Sequence, residues 1–176
     1  GHTLLVANDS YLILAAMSPL LPYDMLRDFD PVIQANNLPF FLVVNEEAIP
    51  VKTLKEFVEF VRAHPGKLSY GSSGAGGVNH LITELFRVAA GIELLHVPYK
   101  GAAPAMTGLI AGEVDLLFDS MPTTLPHARS GRIRPLAVTT QQRSALLPQL
   151  PTLDEAGVKG YELANWMGVF APAGTP

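Results

Sequence analysis

The sequence predicts an α/β protein in which strands alternate with helices of about ten residues. Three observations support this fold class. Short apolar runs alternate with segments whose apolar residues recur at helical spacing, and a glycine-rich turn joins a strand to a helix at residues 71–77. The composition, 48% hydrophobic and 16% charged, is typical of a well-packed globular protein. The alternation implies βαβ units, a mainly parallel sheet and ligand binding at the carboxyl ends of strands.

The first predicted strand covers residues 4–7, and the polar residues 8–10 after it predict a loop. Turns or short helices are predicted at three proline dipeptides: Ser18-Pro19, Leu21-Pro22 and Asp30-Pro31. A second strand is predicted at 40–44. Thr53 and Glu56 have the spacing of a capping box, which predicts a helix ending at residues 64–66. Its apolar stripe is expected to be core: Leu54, Phe57, Val58 and Val61.

The strand at 68–70 leads through the glycine turn into a helix that ends near Gly91. This helix is expected to bury one apolar face: Leu81, Ile82, Leu85, Phe86 and Ala89. The remaining predicted strands are 94–97, 114–119, 135–139 and 161–170. The remaining predicted helices are 102–111, about 123–130, and a short one capped by Thr152 and Glu155.

The glycine turn is the strongest candidate binding site. Unpaired backbone N–H groups at a helix start carry partial positive charge, and glycines allow an anion to approach them closely. The predicted ligand-binding residues are the donors Ser72 and Ser73, the glycines Gly74, Gly76 and Gly77, and His80 in the first helical turn, which packs against or fixes the loop. Such a loop could hold a small carboxylate or phosphate without a basic side chain.

Better-known glycine motifs fit less well. A phosphate-binding P-loop requires a lysine that is absent here, and the dinucleotide fingerprint meets Asn79 where its third glycine should be. The run Gly71-Ser72-Ser73-Gly74-Ala75 is close to the nucleophile elbow of serine hydrolases. A serine hydrolase using this turn, with Ser73 as nucleophile, and a turn that binds nothing therefore remain alternatives.

Other candidates come from the ends of predicted strands. Asn8 and Ser10 follow the first strand and could donate from the opposite side of a cleft. Asp119 ends an apolar strand, where it forms either a turn or a ligand contact suited to an ammonium group. His96 lies inside a strand, which favours a structural role. No histidine and carboxylate spacing indicates a metal site, and no cofactor is expected.

Composition narrows the function classes. The formal charge of −4 argues against a nucleic-acid-binding surface. The absence of cysteine excludes disulfides and cysteine nucleophiles. No apolar run approaches the roughly 20 residues that span a bilayer. The chain starts within a strand-like phrase, which is compatible with removal of a signal peptide or with truncation.

Several phrases, in order along the chain, resemble the Bug family of periplasmic solute receptors, the substrate-binding components of tripartite tricarboxylate transporters. They are GHTLL at 1–5, LPYD at 21–24, SYGSSG at 69–74, HVPYKG at 96–101, GEVDLLFD at 112–119, LAVT at 136–139, LPT at 150–152, EAG at 155–157 and APAGTP at 171–176. The resemblance covers essentially the whole chain.

The resemblance implies a periplasmic-binding-protein-like fold of the type II, Venus-flytrap class, with one complete lobe and part of the other. Residues 1–42 would be a partial first lobe, 43–164 the second lobe, and 165–176 a hinge strand returning to the first. Family members begin with a further strand and loop and continue past residue 176, so tight binding by this chain alone is in doubt.

The implied function is non-enzymatic. An extracytoplasmic, periplasmic receptor captures a small carboxylate, either an organic acid or an amino acid, by lobe closure. Its partners are the ligand and the membrane transporter subunits. Apolar surface left by missing strands could also favour self-association.

Overall fold

A computed structural model describes residues 3–18 and 20–175. The chain forms two compact units, one of Gly1–Leu38 with Asn165–Pro176 and one of Pro39–Ala164. The strands are β1 (Leu5–Asn8), β2 (Phe29–Asn45), β3 (Ser69–Ser72), β4 (Leu95–Pro98), β5 (Leu116–Ser120), β6 (Ile133–Val138) and β7 (Ala164–Pro172). The helices are α1 (Asp9–Met17), α2 (Leu54–Ala63), α3 (Val78–Ala90), α4 (Ala102–Ala111) and α5 (Met121–Arg129).

The sheet of the larger unit is mixed. Its strand order is β6-β2-β5-β3-β4. β3 runs parallel to β4 and β5, with Tyr70 opposite both His96 and Leu116. β2 runs antiparallel to β5 and β6. The expectation of a mainly parallel sheet is therefore wrong at β2, because this strand pairs with strands distant in sequence that run in the opposite direction.

Side chains of β2 alternate between two cores, one on each face of the sheet. Leu42 and Val44 belong to the core covered by α2 and α3, which also contains Phe86. Phe41 and Val43 belong to the core covered by α4 and α5. Because successive side chains of a strand point to opposite faces, a strand buried on both sides appears in the sequence as a continuous apolar run.

A tyrosine fills a slot between two glycines in this unit. A Cβ atom added to Gly71 on β3 would lie 3.5 Å from Cε2 of Tyr99, and one added to Gly108 on α4 would lie 2.6 Å from its Cζ. The Tyr99 hydroxyl donates to Oε2 of Glu113 at 3.0 Å. The absence of side chains at both glycines lets the aromatic ring pack between strand and helix.

The helix starts are mostly predicted well. The capping box of α2 is confirmed, since Thr53 accepts from the Glu56 N–H and Glu56 accepts from the Thr53 N–H. α3 ends at Gly91, which has a left-handed φ of 61°. No helix follows Thr152, where that prediction is wrong; Thr152 and Glu155 still exchange the two capping hydrogen bonds around a turn.

The buried face of α3 differs from the predicted one. Leu85 is 46% exposed and Ala89 is also exposed. The buried positions are Asn79, Ile82, Thr83, Phe86 and Ala90. Two polar residues take core-facing positions because they are hydrogen-bonded there, and apolarity alone therefore located the face incorrectly.

The smaller unit contains β1 paired antiparallel with β7, with Leu5 opposite Phe170 and Asn8 opposite Met167. The predicted loop at 8–10 is wrong, because β1 passes directly into α1. The predicted turn at Asp30-Pro31 is also wrong, because both residues lie within β2. Pro19 of the turn predicted at residues 18–19 lies outside the described residues.

Several large apolar side chains of the smaller unit are exposed. They include Leu4, Val6, Leu20, Leu26 and Ile33. Among the helices that the structure describes, none combines the length and apolar character needed to cross a bilayer.

Candidate anion-binding site

The glycine loop begins where β3 ends at Ser72 and extends to Gly77, which has the extended backbone of a helix N-cap (φ −71°, ψ 163°). Gly74 has a φ of 136° and Gly76 a φ of 77°. These values lie in the region that side chains with a Cβ atom rarely adopt, so the two glycines are required by the shape of the turn.

The amides of the predicted glycines are used within the loop. The Gly74 N–H donates to Oγ of Ser72 at 3.2 Å, and the Gly77 N–H donates to the Gly74 carbonyl at 3.2 Å. The Gly76 N–H donates to Nδ1 of His80 at 3.1 Å. These three donors therefore maintain the loop's own conformation.

The unpaired amides lie at neighbouring positions. Across residues 3–18 and 20–175, the N–H groups of Ala75, Val78, Asn79 and His80 have no protein acceptor. The last three form the first turn of α3. The N–H groups of a first turn have no carbonyl of the preceding turn to bind, and this end of the helix dipole is positive. These groups are available to an anion.

Both predicted serine donors are engaged by protein groups. Ser72 is 1% exposed, and its Oγ lies 2.7 Å from Nε2 of His96 and 3.2 Å from the Gly74 carbonyl. Oγ of Ser73 donates to Oδ1 of Asn79 at 3.0 Å. The Ser72 hydroxyl thus connects the loop to His96 of β4, and the Ser73 hydroxyl connects it to Asn79 of α3.

Asn79 is a site residue that sequence reasoning missed. Its side chain is buried, accepts from Ser73 and donates through Nδ2 to the Phe118 carbonyl of β5 at 2.6 Å. It therefore links the glycine loop to the neighbouring strand. The sequence did contain a signal for this role. Asn79 lies about two helical turns before Phe86, so its side chain is expected on the buried face of the helix although it is polar.

Two histidines stack behind the loop. The rings of His80 and His96 are 4.1 Å apart with 13° between their planes, and Tyr70 stacks on His96 at 4.8 Å. Burial, followed by the charge of the neighbouring His80, lowers the pKa of His96. The Tyr70 hydroxyl donates to Oε1 of Glu84 at 2.7 Å, and burial is the main cause that raises its pKa.

Asp119 lies at the end of β5 but is enclosed, with 3% of its surface exposed. Its Oδ1 accepts from the Ser120 N–H at 2.7 Å, while Oδ2 has no partner within the described part of the chain. Burial raises the pKa of this carboxyl, and the hydrogen bond from the Ser120 N–H partly offsets the effect.

The remaining predicted residues belong to the smaller unit. Asn8 ends β1 and occupies the N-cap position of α1 in an extended conformation, without a side-chain capping bond. Ser10 lies in the first turn of α1. The larger unit contains the other predicted positions, Ser72 to His80 and Asp119.

The geometry of the loop does not support the hydrolase alternative. Ser73 pairs with Asn79 rather than with a histidine. Ser72 does contact His96, but no carboxylate of the described ranges hydrogen-bonds to that imidazole. A Ser–His–acid arrangement requires that third group to orient the base. The residues described here also contain no cluster of three or more metal-ligating side chains.

Comparison with known proteins identifies the family. The model of the tripartite tricarboxylate transporter family receptors (TctC) matches residues 1–176. The chain spans about half the length of the curated relatives it matches, 52% and 54% for two of them, while 100% and 99% of this chain is covered.

Solved structures share this fold, and three of them illustrate the similarity. The R. palustris protein Rpa4515 with adipate is 41% identical with a TM-score of 0.88, over 100% of this chain and 59% of that one. The periplasmic binding protein BugD is 34% identical with a TM-score of 0.87, over 98% and 57%. MatC from Rhodopseudomonas palustris with bound malate is 31% identical with a TM-score of 0.84, over 99% and 60%.

These matches confirm the resemblance to the Bug receptors and the periplasmic-binding-protein-like α/β fold class. The chain belongs to the tripartite tricarboxylate transporter receptor family.

Proposed function

We propose that this chain is the carboxylate-binding part of an extracytoplasmic solute receptor, and that the glycine loop holds the carboxylate. The observation that carries the proposal is the set of unpaired amides at Ala75 and in the first turn of α3. A helix N-terminus that offers free N–H groups stabilises a negative charge without a basic side chain. Family membership and the adipate and malate in two relatives support a small organic acid as the ligand.

The mechanism is the replacement of water around the carboxylate by fixed amide dipoles when the receptor closes. Hydrogen bonds to a charged acceptor are stronger than those between neutral groups, so a few amides suffice. Asn8 and Ser10 are the candidate donors from the smaller unit. Asp119 is the candidate partner for an ammonium group, should the ligand be an amino acid.

Family membership supports a proposal for the partners. The receptor delivers its ligand to the membrane subunits of a tripartite transporter. It functions in the periplasm, and the related BugD is likewise a periplasmic binding protein. The exposed apolar side chains of the smaller unit support self-association of this chain as a further proposal.

Val78 permits a test that removes a single amide. It is the first residue of α3, where proline is tolerated because the N–H makes no intrahelical bond. Gly77 before it already has the extended backbone that a following proline requires. Val78→Pro therefore deletes one anion-binding donor and leaves the helix intact, while Val78→Ala removes side-chain contacts but keeps the donor.

The assay is a titration followed by amide NMR, with adipate and malate as probes and neutral adipamide as the control. We expect shifts at residues 75 and 78–80 with the dicarboxylates, and affinity at least tenfold weaker in Val78→Pro than in Val78→Ala, the equivalent of about 1.5 kcal/mol for a bond to a charged group. Equal affinity in the two variants, or equal shifts with adipamide, would contradict the proposal.

A further inference from the structure

The hydrogen bond between Gly76 and His80 fixes a protonation state. The Gly76 N–H donates to Nδ1 of His80 at 3.1 Å, so Nδ1 must carry a lone pair. A proton on Nδ1 would face the amide proton of Gly76. This part of the loop therefore keeps its observed conformation only while the imidazole is neutral.

His96 supports the other side of the loop and lies against the same ring. Its Nε2 contacts Ser72, whose Oγ accepts the Gly74 N–H. The His80 and His96 rings are stacked at 4.1 Å, so a positive charge on one opposes a charge on the other. Two adjacent histidines thus hold Gly74 and Gly76, the glycines of this loop that have positive φ.

The charged groups around His80 and His96 already hydrogen-bond to other protein groups. On α3, Glu84 lies one turn beyond His80 and is bound by Arg87 at 2.8 Å and by the Tyr70 hydroxyl of β3 at 2.7 Å. On β5, the Asp119 carboxyl accepts from the Ser120 N–H. On β4, the group that faces His80 is His96 itself. Within the residues described, neither Glu84 nor Asp119 hydrogen-bonds to the His80 ring.

We propose that His80 and His96 form a pH-sensitive clamp on the glycine loop: the neutral pair holds the loop in its anion-binding shape, and protonation of His80 releases Gly76. For its effect on affinity, this inference rests on the proposed function of the loop. Carboxylate binding then weakens once His80 is protonated, because the Gly76 N–H loses its acceptor.

His80→Asn separates the clamp from simple structural support. The side-chain oxygen of asparagine lies near the position of Nδ1, accepts the Gly76 N–H and cannot be protonated as an imidazole can. His127→Asn, on α5, is the matched control. Adipate affinity is measured between pH 5 and 8 for each protein, and the ratio to His80→Asn at each pH cancels the ionisation of the ligand itself.

We expect wild type and His127→Asn to lose roughly tenfold in affinity relative to His80→Asn between pH 8 and pH 5, the equivalent of about 1.4 kcal/mol. Affinity that rises relative to His80→Asn would overturn the clamp, because it would show that the imidazolium binds the anion directly. An affinity ratio to His80→Asn that does not change with pH would also overturn the clamp.

A second measurement does not depend on ligand. In the unliganded wild-type chain, the Gly76 amide resonance and its hydrogen exchange should titrate together with the His80 ring. If they do, and no carboxylate binds at any pH, the clamp stands and the proposed function fails. If the His80 ring titrates while the Gly76 amide stays unchanged, the clamp is refuted whatever the loop binds.

Discussion

Replacing Asn79 by alanine should destabilise the larger unit because two hydrogen bonds of a buried side chain are lost together. The variant removes the donor to the Phe118 carbonyl at 2.6 Å and the acceptor for the Ser73 hydroxyl at 3.0 Å. Each bond contributes about 1 kcal/mol net, and a buried carbonyl without a partner costs about 1–3 kcal/mol. We therefore expect a loss of about 2–4 kcal/mol.

The assay is urea denaturation followed by circular dichroism, with the free energy extrapolated to water. Ser73→Ala is the matched control, because it removes one of the two bonds at a half-buried position and should cost about 1 kcal/mol. The double variant measures the coupling between the two side chains, which we expect to be about 0.5–1 kcal/mol. Asn79→Asp should be at least as damaging as Asn79→Ala, since it places a carboxylate oxygen against the Phe118 carbonyl.

One result would refute this reasoning. If Asn79→Ala costs no more than Ser73→Ala, the Phe118 carbonyl does not depend on Asn79, and the loop is not fastened to β5 as the geometry indicates. A coupling energy near zero would contradict only the inferred interaction between Ser73 and Asn79.

Three further predictions concern packing, charge and capping. Gly108→Ala should destabilise by about 1–2 kcal/mol, because the new Cβ would lie 2.6 Å from Cζ of Tyr99 and overpacking outweighs the gain in helix propensity; in a Tyr99→Ala background the same change should stabilise, as urea midpoints would show. Burial raises the pKa of Asp119, so the folded state binds this proton more readily than the unfolded state and stability falls as pH rises through the raised pKa. Asp119→Asn should therefore gain more in urea midpoint over wild type at pH 8 than at pH 4; equal gains at both pH values would contradict this. Thr53→Ala should cost about 1 kcal/mol by loss of the capping bond to Glu56 and lower the melting temperature by about 2–4 °C, while no change would mean that the cap is not formed.

Local elements were predictable because their causes lie within a few residues of sequence. The capping box at Thr53, the helix at Ala102–Ala111 and the glycine-rich turn before α3 depend on neighbouring side chains and backbone angles. The motif phrases also identified the family. The direction of β2 was not predictable in this way, because its partners β5 and β6 are distant in sequence.

The sequence by itself determined that a glycine-rich turn would lie between β3 and α3, since glycine, serine and the helix start are local properties. Only the tertiary structure decided which of its donors are free. Strand pairing brings His96 beside Ser72, and the packing of α3 brings Asn79 to the Phe118 carbonyl. These contacts use the hydroxyls and leave the amides of Val78, Asn79 and His80 unpaired among the described residues, because a donor's availability depends on every group that the fold places near it.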